Sequence, residues 1–322
     1  MPDAVARRIR AAVRILLCHC RAVSALSIAL AAPSAMAQEA LPVTEVAPGV
    51  YVAMGVHEEA STGNLGAIGN VGFILGGEAV AVIDTGGSAL AGQQLRQAVR
   101  AVTGLPIRFV VNTHVHPDHI MGNAAFVADA PQFIGHRNLP RAIAARGEHY
   151  LRRLREDLGP AADGTQLIPP TRTVDSMAEI DLGGRVLRLT AYPAAHTDTD
   201  LSVLDVATSV LWTGDLLFID RIPVVDGSLR GWLAASSDLR GAEAVHLVPG
   251  HGPPTAEGNA AFDAQERYLR RLLTEIRALI ARGGSMEQAV ETVGASERNR
   301  WVLFDAYHAR NVVTAYVEIE WE

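Results

Sequence analysis

Five histidines and two aspartates, gathered in four short clusters, are the residues whose types and spacing point to chemistry. The densest cluster is Thr113-His114-Val115-His116-Pro117-Asp118-His119, directly after the apolar run Ile107 to Val111. The others are Ala195-His196-Thr197, Thr213-Gly214-Asp215 and Pro249-Gly250-His251-Gly252. Side chains alternate along a strand, so His114 and His116 are expected on one face, and the proline turns the chain so that Asp118 and His119 open a helix. Neutral imidazole and carboxylate are nitrogen and oxygen donors suited to zinc, and a catalytic zinc site leaves one position open for water. The set reads as a two-metal centre fit for hydrolysis.

The elements that must position these residues are legible in the same pattern. Strands are expected at Tyr51 to Met54, Gly72 to Leu75, Val80 to Asp84, Ile107 to Asn112, Val186 to Ala191, Ser202 to Val206, Val210 to Thr213 and Val245 to Val248. Between and after them, residues 88 to 103, 138 to 158, 228 to 239, 260 to 282 and 304 to 317 carry helical periodicity. This alternation predicts an α/β chain of two packed sheets with helices outside. Residues 136 to 170 break the rhythm and read as a helical insertion that ends at Pro169-Pro170. A short internal echo, Val82-Ile83-Asp84-Thr85-Gly86 against Leu211-Trp212-Thr213-Gly214-Asp215, suggests two similar halves that bring ligands to one edge.

Residues 1 to 37 read as an export signal. Arg7, Arg8, Arg10, Arg14 and Arg21 make the front basic, Ala22 to Ala32 is apolar but too short to span a bilayer, and Ala35-Met36-Ala37 offers small residues for cleavage before Gln38. Residues 38 to 322 are then expected to form one exported, periplasmic domain, since no linker divides them. Both cysteines, Cys18 and Cys20, fall inside the signal, so no disulfide or thiolate ligand is expected in the mature protein. All 28 basic residues are arginine, which excludes lysine chemistry. The formal charge is −7, and the signal is itself basic, so the mature part is more acidic still. An acidic chain without a basic run is a poor nucleic-acid binder.

At the histidine and aspartate clusters the chain resembles the metallo-β-lactamase-fold superfamily, over nearly all of Val43 to Glu322. The resemblance implies a four-layer αββα sandwich with a dinuclear zinc centre, two ions per chain, at one edge. It implies that His114, His116 and His196 hold the first metal, that Asp118, His119 and His251 hold the second, and that Asp215 bridges them. Within the superfamily, Ala195 to Leu201 and Leu216 to Pro223, together with the signal, are similar to the quinoprotein relay system zinc metallohydrolases and their SoxH-like relatives. That branch implies a periplasmic setting near quinoprotein dehydrogenases. The chain departs from one large subclass of true β-lactamases, since the mature part has neither the cysteine nor the lysine used there.

Two metals sharing a water would lower its pKa from about 15.7 towards ~7, and the hydroxide so formed would attack a small ester, thioester, lactone or amide. Asp118 is the expected base as well as a ligand. Asp84, at a strand end, either hydrogen-bonds a ligand histidine or holds the Thr85-Gly86-Gly87 turn. His57, His136, His149, His246 and His308 lack ligand spacing and read as surface or packing residues, with His57 the exception to watch because it lies in the glycine-rich loop Gly55 to Gly69. Arg137 and Arg221 are candidate anion contacts, and Leu216 to Ile222 with Trp232-Leu233 could wall a pocket. Two competing functions remain: a mononuclear iron oxygenase of the persulfide dioxygenase kind, built on two histidines and Asp215, and a non-hydrolytic binder of a metal or quinone cofactor.

Overall fold

Two sheets face each other across an apolar layer, and each is covered on its outer side by helices. The computed structural model describes residues 39–242 and 244–322, so the expected export segment lies outside the described residues. The first sheet has seven strands in chain order: β1 (Thr44–Ala47), β2 (Val50–Ala53), β3 (Val71–Leu75), β4 (Val80–Ile83), β5 (Ile107–Val111), β6 (Gln132–His136) and β7 (Arg172–Val174). Pairing is antiparallel from β1 to β4 and parallel from β4 to β7. In the second sheet the order is β12 (His246–His251), β11 (Val210–Phe218), β10 (Leu201–Asp205), β9 (Val186–Ala191) and β8 (Met177–Asp181), with only the β11–β12 pair parallel. The helices are α1 (Ala89–Val102), α2 (Pro117–Ile120), α3 (Leu139–Leu158), α4 (Leu229–Arg240), α5 (Asp263–Ala281), α6 (Met286–Thr292) and α7 (Phe304–Ile319).

The period-two alternation of strands produces the layers. On β4, Ala81 and Ile83 face the second sheet and pack with Leu189, Val203, Trp212 and Val248, while Val80 and Val82 face outward onto Leu95, Ala98 and Val99 of α1. On β11, Val210 and Trp212 point inward and Leu211 points out, where it joins Leu247, Trp232, Leu272 and Val312 under α4, α5 and α7. Both faces of the central strands are therefore apolar, which is why they read as continuous Val/Ile/Leu runs. Helix starts follow local chemistry: the Ser88 and Ser228 side chains accept from the backbone N–H groups of Ala91 and Gly231, and Ser285 with Gln288 closes a capping box on α6.

The sequence pattern missed β1, β6, β7 and β8. Of these, β1, β7 and β8 are edge strands with exposed, polar residues, so the apolar alternation that marks a half-buried strand is weak in them. β6 is buried but brief, with Gly135 inside it. In the other direction β11 runs five residues past the expected Thr213, to Phe218, because every residue of it is buried.

Candidate metal centre

The strand ends of both sheets meet at one edge. β4 leads into Asp84, β5 leads into the His114 cluster, the β9–β10 connection carries His196, β11 carries Asp215 and β12 ends on His251. The echo between the halves is therefore spatial as well: β4, α1 and β5 lead to one histidine cluster, and β11, α4 and β12 lead to the other.

β5 stops at Val111, so His114 and His116 stand on a bent loop and not on one face of a strand. The cause is that side chains take over the backbone donors. The N–H of Thr113 donates to Asp84 Oδ1 at 2.8 Å, and the N–H of Val115 donates to Thr199 Oγ1 at 3.1 Å, so neither is left for a ladder. Pro117 then opens α2, as expected, and places Asp118 and His119 over the same edge. Asp84 sits at φ 54°, a left-handed conformation that Asp tolerates and that the two bonds from Thr113 over-determine.

All seven expected residues come together. Two groups form, His114, His116, His196 and Asp215 in one and Asp118, His119 and His251 in the other. Facing atoms lie 2.9 to 3.6 Å apart: His196 Nε2 is 2.9 Å and His114 Nε2 is 3.1 Å from His116 Nδ1, and Asp215 Oδ2 is 3.6 Å from His114 and 3.3 Å from His196. In the second group Asp118 Oδ2 is 3.4 Å from His119 Nε2 and 3.3 Å from His251 Nε2. Asp215 joins the groups, its Oδ2 3.3 Å from His251 Nε2 and its Oδ1 3.2 Å from His119 Nε2. Donors at tetrahedral corners around zinc lie about 3.3 Å apart, so this spacing fits a metal. His119 Nε2 and Asp215 Oδ1 are buried with no hydrogen-bond partner.

The outer nitrogens fix the tautomers. His196 Nδ1 donates to Val224 O at 2.7 Å and His251 Nδ1 to Ile68 O at 2.8 Å, because a carbonyl can only accept. His119 Nδ1 faces Asp84 Oδ2 at 2.8 Å, and His116 Nε2 faces Asp226 Oδ2 at 3.1 Å. Thr113 Oγ1 gives its hydrogen to Asp84, which leaves it to accept from His114 Nδ1 at 3.1 Å. In their neutral forms all five imidazoles thus turn lone pairs inward, an arrangement that repels itself unless a cation sits between them. Burial holds His114 well below its ordinary pKa and His196 at about 3, so both are neutral at pH 7. For His119, Asp215, Asp118 and Asp84 outweigh burial and hold the imidazole well above its usual range. Burial pushes the Asp118 carboxyl up, but His119 and His251 outweigh it and keep the group ionised.

Close backbone approach seals the centre. A Cβ on Gly250 would lie 1.8 Å from Asp215 Oδ1, and one on Gly69 would lie 2.8 Å from His119 Nε2. The loop Gly55 to Gly69 thus covers the second group, and His57 stands in it outside the donor set. A cleft of about 330 Å³ opens over the two groups, lined by His116, Asp118, Phe218, Arg221, His251 and Tyr307 among others. Trp232 does not wall it: the indole packs behind His196, 5.1 Å between ring centres. His149 lines the cleft on α3, whereas His136 and His308 are buried in packing roles. Of the two candidate anion contacts, Arg221 lines the cleft and Arg137 does not. Asp226 was missed by sequence reasoning; in Val225-Asp226-Gly227-Ser228 it reads as a turn residue before α4, yet it backs His116 and is itself held by Arg146 and Arg310.

The family model of the metallo-beta-lactamase superfamily matches residues 65–251. The linear primary-alkylsulfatase of Pseudomonas sp. (strain ATCC 19151) is 24% identical over 215 residues, 56% of this chain and 40% of that protein. Among solved structures, a stereoselective inverting sec-alkylsulfatase from Pseudomonas sp. superposes with TM-score 0.67 at 17% identity, over 86% of this chain and 50% of that one. A metallo-beta-lactamase from Hirschia baltica gives TM-score 0.54 at 17% identity, over 70% of this chain and 97% of that one. The chain thus spans half or less of the alkylsulfatases it matches, and the likeness in structure is one of fold. With the superfamily's model extending over more than half of the sequence and its sandwich and ligand edge both in place, this chain belongs to the metallo-beta-lactamase superfamily.

Proposed function

We propose that the protein is an exported hydrolase that holds two zinc ions and cleaves a small ester, thioester, lactone or amide. The observation that carries this reading is the inward aim of all five imidazole lone pairs around a shared Asp215. His114, His116 and His196 would hold one ion, Asp118, His119 and His251 the other, with Asp215 between them. Two ions there supply Lewis acidity and a hydroxide nucleophile at neutral pH. The chain's own part is to position and to move protons. Asp118, at the cleft floor, takes the proton of the attacking water and returns it to the leaving heteroatom. Asp84 and Asp226 keep His119 and His116 turned inward, and Ile68 and Phe218 present an apolar wall that limits water.

Export rests on residues 1–37 as a signal, and the resemblance of Leu216 to Pro223 to the quinoprotein relay branch supports a periplasmic setting near quinoprotein dehydrogenases. The test is a screen of the zinc-loaded protein against chromogenic esters, thioesters, lactones, a cephalosporin and an alkyl sulfate, the last because of the alkylsulfatase relative. Turnover that chelation abolishes and zinc restores is expected in at least one carbonyl class. Zinc-loaded protein inert to all of them would overturn the reading.

A further inference from the structure

Among the described residues, Arg221 is the cleft arginine without a carboxylate partner. Of the arginines lining the cleft, Arg153 is paired with Glu156 and Asp157, and Arg310 with Asp226, but no acid lies within ion-pair distance of Arg221 among the described residues. Its side chain is nevertheless buried, with 3% of the residue exposed. The guanidinium donates to the Glu58 carbonyl at 3.4 Å and to the Tyr307 hydroxyl at 3.2 Å, and it lies 5.4 Å over the Tyr307 ring. Nη1 also lies 3.5 Å from His251 Nδ1, yet that nitrogen gives its hydrogen to Ile68 O, so the two donors face each other and no bond is gained. Nε has no partner at all.

A buried guanidinium without a counter-ion is costly, and it is more so beside a centre built for two cations. The position is set by the fold: Asp220 at φ 64° turns the chain after β11, and Ile222 N–H anchors the next residue to Val302 O. This places a planar fork, suited to two oxygens at once, one imidazole away from the His251 ligand atom. Burial holds the Tyr307 phenol up at about 12, so beside that fork stands a protonated hydroxyl.

We infer that Arg221, with Tyr307, binds an oxyanion carried by the substrate next to its scissile bond, so that the hydrolase selects anionic substrates over neutral ones of the same shape. The inference rests on the hydrolase reading and narrows its substrate class.

A matched pair of esters tests it: 4-nitrophenyl hydrogen glutarate, which ends in a carboxylate, and 4-nitrophenyl pentanoate, which ends in a methyl group. Zinc-loaded parent protein is expected to show the higher kcat/KM on the glutarate ester. Arg221→Gln should lose about 10- to 100-fold on that ester, mainly in KM, and change less than about threefold on the pentanoate, a split that follows from losing one charge-assisted contact. Arg221→Lys should recover part of the loss, since it restores charge without the fork. The pentanoate rate and the metal content serve as the folding control. Equal parent rates on both esters, or equal losses on both in Arg221→Gln with metals retained, would overturn the inference while leaving the hydrolase reading in place. Should the parent cleave neither ester, calorimetry with glutarate and with inorganic sulfate decides: binding to the parent and not to Arg221→Gln supports the anion site and distinguishes carboxylate from sulfate, and binding of neither overturns it.

Discussion

At the scale of single residues, a ligand histidine is only as well placed as the group behind it. Asp84 shows the effect most fully, because one carboxylate orients His119, fixes the Thr113 backbone and, through Thr113 Oγ1, sets the tautomer of His114. Asp118 differs in that it belongs to the second group and also lines the cleft, where the proposed mechanism makes it the base. Asp118→Asn keeps the shape and removes the base, and general acid–base effects of this kind are worth about 10² to 10⁴ in rate. The variant should therefore lose turnover by that order while the first group, His114, His116, His196 and Asp215, still binds metal. Metal content and turnover measured together check this, and near-normal turnover with two ions would remove Asp118 from the mechanism.

At the scale of elements, the clusters were legible because each follows an apolar run in the sequence, and the strands that bring them were found for the same reason. Edge strands β1, β7 and β8 were not, since their exposure erases the alternation that a single sequence can reveal. Asp226 and Tyr307 were illegible for another cause: the turn before α4 brings Asp226 behind His116 and α7 brings Tyr307 to the cleft, both from distant sequence and neither in a local motif. α7 also carries a prediction. His308 Nε2 donates to Val293 O at 2.8 Å and its Nδ1 accepts from the Tyr268 hydroxyl at 3.0 Å, so the imidazole is held neutral. Burial lowers its pKa, and a histidine depressed in the folded state contributes stability that is present above its unfolded pKa of about 6.5 and is lost as pH falls below it. His308→Gln should cost about 1–3 kcal/mol at pH 7.5, and the gap to the parent should shrink by pH 5.5. Urea midpoints of the two proteins at both pH values measure it, and a gap that widens in acid would contradict the account.

At the scale of the whole molecule, the centre is an addition to a fold that stands on its own apolar layers. One layer lies between the sheets, one beneath α1 and one beneath α4, α5 and α7, and all three are built without the seven ligand residues. Chelation should then abolish turnover and lower Tm, since a ligand that binds only the folded state stabilises it by mass action, yet leave far-ultraviolet dichroism and cooperative unfolding in place. Loss of secondary structure on chelation would mean that the metals organise the fold.

The central claim is that two ions occupy this edge. The most direct measurement is the metal content of the protein expressed from residue 38 onward, offered zinc and iron together and dialysed free of excess. The account predicts close to two zinc ions per chain, from the seven donors in two groups joined by Asp215. One iron per chain would contradict it, and would point instead to an oxygenase built on two histidines and Asp215.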